Sequence, residues 1–554
     1  MVSVMATTKL FIDDDVFWHL ATGKFIVNSG FVIPSADIFG YVTAGTQWIP
    51  FEWGWDVLTY FIYTIGGISG LSVIRLVLVL LIFIPVFIIG KKTRIPLPLL
   101  TVILLLVATG MLVRFTVRPH LVTYVFLMAE VFLLFYSVSD PKYKKLFVLF
   151  PVFFLIWANL HMGVILGLAI LVIFYISELL NTRIAKRPAA FENRRFLLIL
   201  LLSFMACLVN PHHYQTYIYA YSHSQMWMLD EILEWKSPFD PRVSGFYYVK
   251  LYFFFLILGL IVLYYSYKRK DFFPALLYAF SAVYSTQSLR FIYDYFIIIT
   301  IPIVVSIAYL INSNKSRRLN AVFNSRISFG ILSVFLIWLT VSLYNNSIYT
   351  GILNNKFRET GWSVNEKFFP VQMFGFMEKE NIPAISSNVF NSMRIGGYYI
   401  WSFNDELNFI DSRNLNDEIM AEYKSIDGRQ SGFEEKLKKY NIDCIVYSLP
   451  YLTTSAQEIE KNLVSYLSRS ENWKLIYWDD ISLLFVRNDD KFKGIIDKYE
   501  YKYITPTNFI FRRNELSAAL QNDRSPFINE VKRKKAEEPN GRIINDIIKR
   551  FGLN

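Results

Sequence analysis

The stretch "SGLSVIRLVLVLLIFIPVFIIGKKTR", residues 69 to 94, decides the fold class. From Ser69 to Gly90 the only charge is Arg75, and the run then stops at a basic cluster. A helix of about 20 such residues rises far enough to cross a hydrocarbon core of roughly 30 Å. Comparable runs recur at 97–113, 119–137, 146–160, 162–180, 196–210, 250–267, 272–288, 291–312 and 327–345, so about ten helices are expected. With 54% hydrophobic and 18% charged residues, the chain reads as a polytopic membrane protein.

The net charge of +11 does not point to nucleic acid, because the basic residues fall in short clusters between apolar runs and in the C-terminal tail. When the loops are assigned alternately to two sides, the segments 91–94, 138–146, 181–195, 268–270 and 313–326 carry 18 Lys and Arg. The longer set 13–57, 113–120, 158–163, 211–250 and 288–294 carries 7. The positive-inside rule makes the first set cytoplasmic and the second external. The start "MVSVMATTKLFI" lacks a basic leader and is too short to span, so a helix preceding the first outer loop is expected. The two cysteines, Cys207 and Cys444, have no zinc or disulfide spacing.

Four segments follow: a first outer loop over 1–57, a transmembrane region over 58–345, a soluble α/β domain over 346–490, and a basic helical tail over 491–554. The α/β reading rests on helix-like stretches ("VQMFGFMEKE", "GFEEKLKKYN", "AQEIEKNLVSYLSRS") alternating with strand-like ones ("YYIWSF", "LNFIDSR", "DCIVYSL", "WKLIYWDD", "SLLFVRN"). Gly396 and Gly397 are too sparse for a phosphate loop and read as a turn into a strand. The tail, interrupted at "EEPNGR", reads as a helical pair packed on the domain.

The external loops hold the polar clusters: "IDDDVFWHLATG" (12–23), "RFTVRPH" (114–120), "WANLHMG" (157–163), "NPHHYQ" (210–215), "LDEILEW" (229–235) and "SLRFIYD" (288–294). The runs 146–160 and 196–210 are short, about 22 Å as helices, so Asn159, His161, Asn210 and His212 are expected below the outer interface in a recessed polar pocket. One of Asp13, Asp14 and Asp15 is expected to cap the helix beginning "VFWHLATGKFI"; three together exceed what a cap requires and suit a cation or a shared proton. Arg114 and Arg118 read either as snorkelling anchors or as a phosphate site. Pro119 keeps Arg118 extended and marks a helix start. Arg290 is expected to pair with Asp294 one turn on, anion binding being the alternative. His19, His120, His161 and His212 recur at helix ends without HxxxH spacing, which disfavours a histidine metal site. Trp18, Trp48, Trp53 and Trp55 suit an aromatic belt or, less simply, a sugar platform. Glu52 and Glu234 each precede a tryptophan, and either an anchored loop or a second catalytic carboxylate fits.

An acidic motif on a first outer loop, many spans and an extracytoplasmic α/β domain resemble the GT-C class of membrane glycosyltransferases. That class includes protein O-mannosyltransferases, aminoarabinose transferases and the oligosaccharyltransferase catalytic subunit. "DDDVFWHLATG", "VRPHLVTY", "NLHMG", "NPHHY", "EW" and "GGYYIW…FIDSR" look like a group of bacterial multispanning proteins, some with a following tetratricopeptide region. No "WWDYG"-like segment follows the last helix, unlike an oligosaccharyltransferase catalytic subunit. The resemblance covers most of 12–490 and implies an α-helical GT-C-like fold with a C-terminal α/β domain, in a bacterial inner membrane.

It implies an inverting transfer from a polyprenyl-phosphate-linked sugar to a hydroxyl on a glycan, lipid or protein acceptor. Asp13 and Asp15 would serve as base or as holders of Mg²⁺ or Mn²⁺. Such chemistry needs a base for the acceptor proton and cations for the leaving phosphate. To the phosphate and substrate we assign Arg114, Arg118 and Arg290, with His19, His120 and His161 beside them, and to Glu234 a supporting catalytic role. A monophosphate donor can be met by arginines alone, whereas a diphosphate favours the metal. Two other classes remain: a transporter or lipid-carrier flippase, against which the lack of matching halves counts, and a non-catalytic envelope assembly scaffold.

Overall fold

In lipid every backbone N–H and C=O must be satisfied within its own segment, so an apolar run of this length has the helix as its outcome. In the computed structural model, which describes residues 2–10, 14–137, 144–188, 191–448, 462–511 and 513–553, all ten runs fall in helices. They are Trp53–Thr93, Leu97–Met111, His120–Ser137, Phe150–Ala158, Val164–Arg183, Asn193–Cys207, Tyr247–Arg269, Phe272–Ser285, Leu289–Ile311 and Arg326–Tyr344. Six helices are long and apolar enough to cross a membrane: 53–93, 97–114, 164–183, 247–269, 289–311 and 326–344.

Trp53–Thr93 begins well before the apolar run seen in the sequence. Its 41 residues would rise about 60 Å, twice the hydrocarbon core, and the helix breaks at Gly67, whose φ of 56° lies in the left-handed region. Lys91 and Lys92 close its last turn and Lys268 and Arg269 close that of Tyr247–Arg269. Those clusters therefore sit where the helix dipole favours cations.

Two compact units divide the chain: Met1–Leu10, Thr22–Ile33 and Ile49–Ser363 in the first, and Phe11–Ala21, Pro34–Trp48 and Val364–Asn554 in the second. In the first, Leu289–Ile311 is the central helix, with Ile292, Tyr295, Phe296, Ile297, Ile298 and Ile299 fully buried. It packs against helices 53–93, 97–111, 120–137, 247–269 and 272–285. Arg326–Tyr344 instead leaves Ile327, Ile331, Val334, Ile337 and Val341 exposed, an apolar face suited to lipid.

The second unit holds a four-stranded sheet, ordered β1 (Val389–Asn391), β2 (Cys444–Ser448), β4 (Ser482–Arg487), β3 (Trp473–Trp478). β1 and β2 are parallel, and the other pairings antiparallel. Three expected strands are present as β2, β3 and β4, and β1 was not foreseen. "YYIWSF" is not a strand but most of the helix Gly396–Ser402, and "LNFIDSR" holds no regular strand. Aromatic content suggested a strand; a carboxylate distant in sequence, Asp14, makes the helix by accepting from the Gly397 and Tyr398 N–H groups, both at 2.8 Å. A Cβ on Gly397 would lie 2.6 Å from the Asp14 carbonyl oxygen, so the glycine serves close approach rather than a strand turn.

"FIDSR" has a structural task. The buried Arg413 guanidinium meets Asp411 Oδ1 at 2.8 Å and Oδ2 at 2.7 Å, and reaches Asp37 Oδ1 at 2.6 Å. It also lies over the Phe39 and Trp48 rings, 5.0 and 4.6 Å from their centroids. This network ties residues 34–48 to the sheet domain. In the tail, Arg524–Glu537 and Arg542–Phe551 pack on each other, burying Phe527, Val531, Ile543, Ile544 and Ile547. Asp480 caps the second by accepting from the Arg542 and Ile543 N–H groups.

Candidate functional site

The first unit gathers most of the residues singled out in the sequence. The 3₁₀ turn Leu112–Arg114 ends the second span, and the chain runs through Arg118 and Pro119 to the helix beginning at His120. His120 Nε2 lies 2.9 Å from the Arg114 carbonyl oxygen, which can only accept, so this nitrogen carries the proton and the ring braces the turn. Arg114 donates to Glu234 Oε2 at 3.3 Å and to Tyr124 Oη at 3.4 Å, with its guanidinium 5.3 Å from the Tyr293 ring centroid.

Glu234 rides on the 3₁₀ turn Leu233–Trp235. Ser288 Oγ fixes that turn by donating to the Glu234 carbonyl at 2.8 Å, and the Leu289 N–H does so by donating to the Lys236 carbonyl at 2.7 Å. Ser288 also caps the helix Leu289–Ile311, accepting from the Arg290 N–H. Arg290 thereby stands 4.7 Å over Trp235. The expected Arg290–Asp294 pair is absent among the described residues: Asp294 accepts from Tyr284 Oη at 3.2 Å, and Arg290 has no ion-pair partner there. Partial desolvation by the surrounding protein pushes the Glu234 carboxyl up, and Arg114, Arg118 and Arg290 more than offset this, holding it at about 2. Its side chain is 49% exposed, so the three guanidiniums share one carboxylate that is open to solvent.

Beside this cluster runs a hydrogen-bonded chain. Trp157 Nε1 donates to Thr123 Oγ1 at 2.8 Å, and Thr123 Oγ1 stands 2.7 Å from His161 Nδ1. The Gly163 N–H also donates to Nδ1, at 3.1 Å. That nitrogen is therefore the acceptor, the proton sits on Nε2, and Nε2 faces Glu52 Oε1 at 3.4 Å. Burial, then Arg290 and Arg114, push the His161 imidazole down to about 3, leaving it neutral at physiological pH. Asn159 and Asn210 are absorbed by structure. Asn159 accepts from Trp53 Nε1 and donates to the Leu155 and Val209 carbonyls; Asn210 organises the turn after Cys207, accepting from Thr216 Oγ1 and the His212 N–H.

The acidic stretch belongs to the second unit, and Asp13 lies outside the described residues. Asp15 opens the helix Asp15–Asn28 and accepts from Ser412 Oγ at 2.6 Å. Asp14 caps the distant helix Gly396–Ser402. Burial pushes the Asp14 carboxyl up, against the pull of the Gly397 and Tyr398 N–H groups. His19 is buried, its ring 3.7 Å from that of Trp18. Among the described residues no group of three or more His, Cys, Asp or Glu is placed to hold a metal. Asp14 Oδ1 accepts from the Tyr398 N–H, and Oδ2 from the Gly397 N–H and, at 3.3 Å, from Ser412 Oγ.

Thr123, Trp157, Tyr124 and Tyr293 stood in the quoted stretches but were given no role, because each lies inside or at the end of an apolar run and reads as core. Only "LVTY" directly after the Arg–Pro–His turn carried a signal, a threonine and a tyrosine one helical step apart.

Apolar helices in one unit and a small mixed sheet in the other give a fold shared with a solved membrane glycosyltransferase of the GT-C class. Three solved structures of an oligosaccharyltransferase from Archaeoglobus fulgidus have this fold. The apo form aligns with a TM-score of 0.51 at 12% identity, over 87% of this chain and 71% of that one. The form tethered with an acceptor peptide containing the NVT sequon gives 0.52 at 11%, over 87% and 70%. The form in complex with an inhibitory peptide and a dolichol-phosphate gives 0.52 at 12%, over 85% and 70%. No family model and no curated protein matches the chain.

Proposed function

We propose that this protein transfers a sugar, with inversion, from a polyprenyl-phosphate-linked donor to an acceptor hydroxyl on a glycan, lipid or protein. The outer face of a bacterial cytoplasmic membrane is the proposed location, supported by the separation of basic residues between the two sets of loops. One observation carries the reading: Arg114, Arg118 and Arg290 act together on a single half-exposed carboxylate at the ends of membrane helices, and Arg290 has no ion-pair partner among the described residues. Three guanidiniums around one carboxylate leave positive charge in excess, which suits a phosphate, whose oxygens the planar fork matches.

In the reaction the acceptor oxygen bonds to the anomeric carbon as the anomeric C–O bond to phosphate breaks. The electron pair leaves with the lipid phosphate, whose growing charge the guanidiniums stabilise. The acceptor proton passes to a carboxylate, for which Asp13 and Asp15 are the assignment the resemblance supplies. Glu234, held at about 2, is a weak proton acceptor, and orienting Arg114 is the role its geometry favours. His161 presents a neutral N–H and His120 braces Arg114, while the buried His19 suits support of its own helix. For a diphosphate donor, Asp13 and Asp15 would hold Mg²⁺ or Mn²⁺, adding positive charge at the leaving group.

The test supplies the purified full chain with radiolabelled polyprenyl-phosphate and polyprenyl-diphosphate sugars and follows label into acceptors, for the parent and for Asp13→Asn and Asp15→Asn made separately. Folded variants that transfer as fast as the parent would remove the acids from catalysis. Uptake into sealed vesicles without covalent transfer would replace the enzyme by a transporter.

A further inference from the structure

The loop that delivers Glu234 and Trp235 begins with a segment whose surface fits no aqueous role. Residues 211 to 229 contain no Asp, Glu, Lys or Arg. Within them lies the helix Gln215–His223. On one side of it Tyr214, Ile218 and Tyr221 are 62%, 61% and 70% exposed, spaced four and three residues apart, and Trp227 follows at 43%. Such spacing lines one helix face. The opposite side is fixed at Thr216, buried against Asn210, and at the flank of the exposed face Tyr217 Oη donates to the Cys207 carbonyl at 2.6 Å.

The occupant of the exposed face follows from what adjoins it. The preceding helix Asn193–Cys207 exposes Leu197, Leu198, Leu201, Leu202, Phe204 and Met205, an apolar face suited to lipid. In sequence the Asn210 turn follows that helix directly and leads to Tyr214 and Ile218, with Val209 59% exposed between them. Tyrosine and tryptophan with an apolar body and a polar tip are the side chains that settle at headgroup level.

We propose that Gln215–His223 lies in the plane of the bilayer interface, with Tyr214, Ile218 and Tyr221 seated among headgroups and upper acyl chains. An interfacial helix buries its apolar face about 5–10 Å into that boundary. The anchor ties the loop bearing Glu234 and Trp235 to the level at which lipid phosphates lie. It does not depend on the proposed transfer reaction.

The experiment places an environment-sensitive NBD label at Ile218→Cys and, separately, Tyr221→Cys, in the full chain reconstituted in phosphatidylcholine–phosphatidylglycerol vesicles. Cys207 and Cys444 are buried and need not be replaced. Ser244→Cys, exposed in the charged part of the same loop, is the water-facing control. The two helix labels should be quenched at least about twofold by shallow nitroxide lipids and little by aqueous iodide, and the control the reverse. Iodide quenching of the helix labels without lipid quenching overturns the anchor. Protection from both quenchers also overturns it, since a protein surface would then cover the face.

Discussion

Arg290→Gln separates a phosphate-binding guanidinium from a structural one. The substitution keeps length and polarity and removes the charge. It breaks no ion pair among the described residues, and it gives up the stacking over Trp235 at 4.7 Å together with one of the three charges that act on Glu234. Such stacking is worth about 0.5–1 kcal/mol in an accessible site, which in a chain of this size moves Tm by no more than about 2 °C. Hydrogen bonds from a charged donor to a phosphate are worth about 1.5–3 kcal/mol, so polyprenyl-phosphate should bind about 10- to 150-fold more weakly. Microscale thermophoresis in detergent with a short-chain polyprenyl phosphate reads the affinity, and the unfolding midpoint of the same sample reads the fold. A Kd within twofold of the parent refutes the assignment. So does a Tm loss of many degrees, since Arg290 would then be holding the helix ends together.

Arg413→Gln should do the opposite: removing one member of the buried Asp37–Arg413–Asp411 network strands two carboxylates and costs about 3–5 kcal/mol, seen as early proteolysis of the C-terminal unit in pulse proteolysis. His161 at about 3 and Glu234 at about 2 both lie below their unfolded values. The unfolded chain takes up protons that the folded one refuses, so stability falls as pH drops below about 6.5 for His161 and below about 4.5 for Glu234. His161→Gln should therefore lose less Tm than the parent between pH 7 and pH 5, and an equal loss would place the acid sensitivity elsewhere. Thr123→Val should move the His161 ring ¹⁵N shifts in NMR and lower transfer, with Thr123→Ser restoring both. Chelation by EDTA should stop transfer from a diphosphate donor and spare a monophosphate donor; equal inhibition of both would remove the arginine-only route.

The membrane unit was legible because its signal is local: an apolar run must be helical in lipid, and every run proved so. The arginine cluster was legible for a related reason, since charges at helix ends stand out against apolar neighbours. What could not be read was pairing across sequence. Arg290 and Asp294 sit one turn apart, yet the guanidinium stacks on Trp235 from another loop. "YYIWSF" carries the aromatic composition of a strand, and only a carboxylate from the start of the chain shows why it is a helix. Asp37 gave no signal of its distant partner Arg413, because its other bonds are local, from the Phe39 and Gly40 N–H groups and Thr43 Oγ1. The Thr123–His161 chain was hidden by the same logic that revealed the spans: polar residues within an apolar run are discounted as core.

The hydrogen bond from Gly397 to Asp14 joins residues 383 positions apart. At a synthesis rate of about 5–20 residues per second, the acidic segment leaves the ribosome some 20–80 s before its partner exists. Through that interval every span is inserted while the carboxylates of Asp14 and Asp37 wait for the Gly397 and Tyr398 N–H groups and the Arg413 guanidinium, which come late in synthesis. Slow closure of this kind belongs to chains rich in distant contacts. A nascent chain stalled before residue 397 would hold a finished membrane bundle and an unclosed acidic segment, a state open to chaperones and proteases. Truncations on either side of that residue should therefore differ sharply in cellular lifetime, although the membrane helices are complete in both.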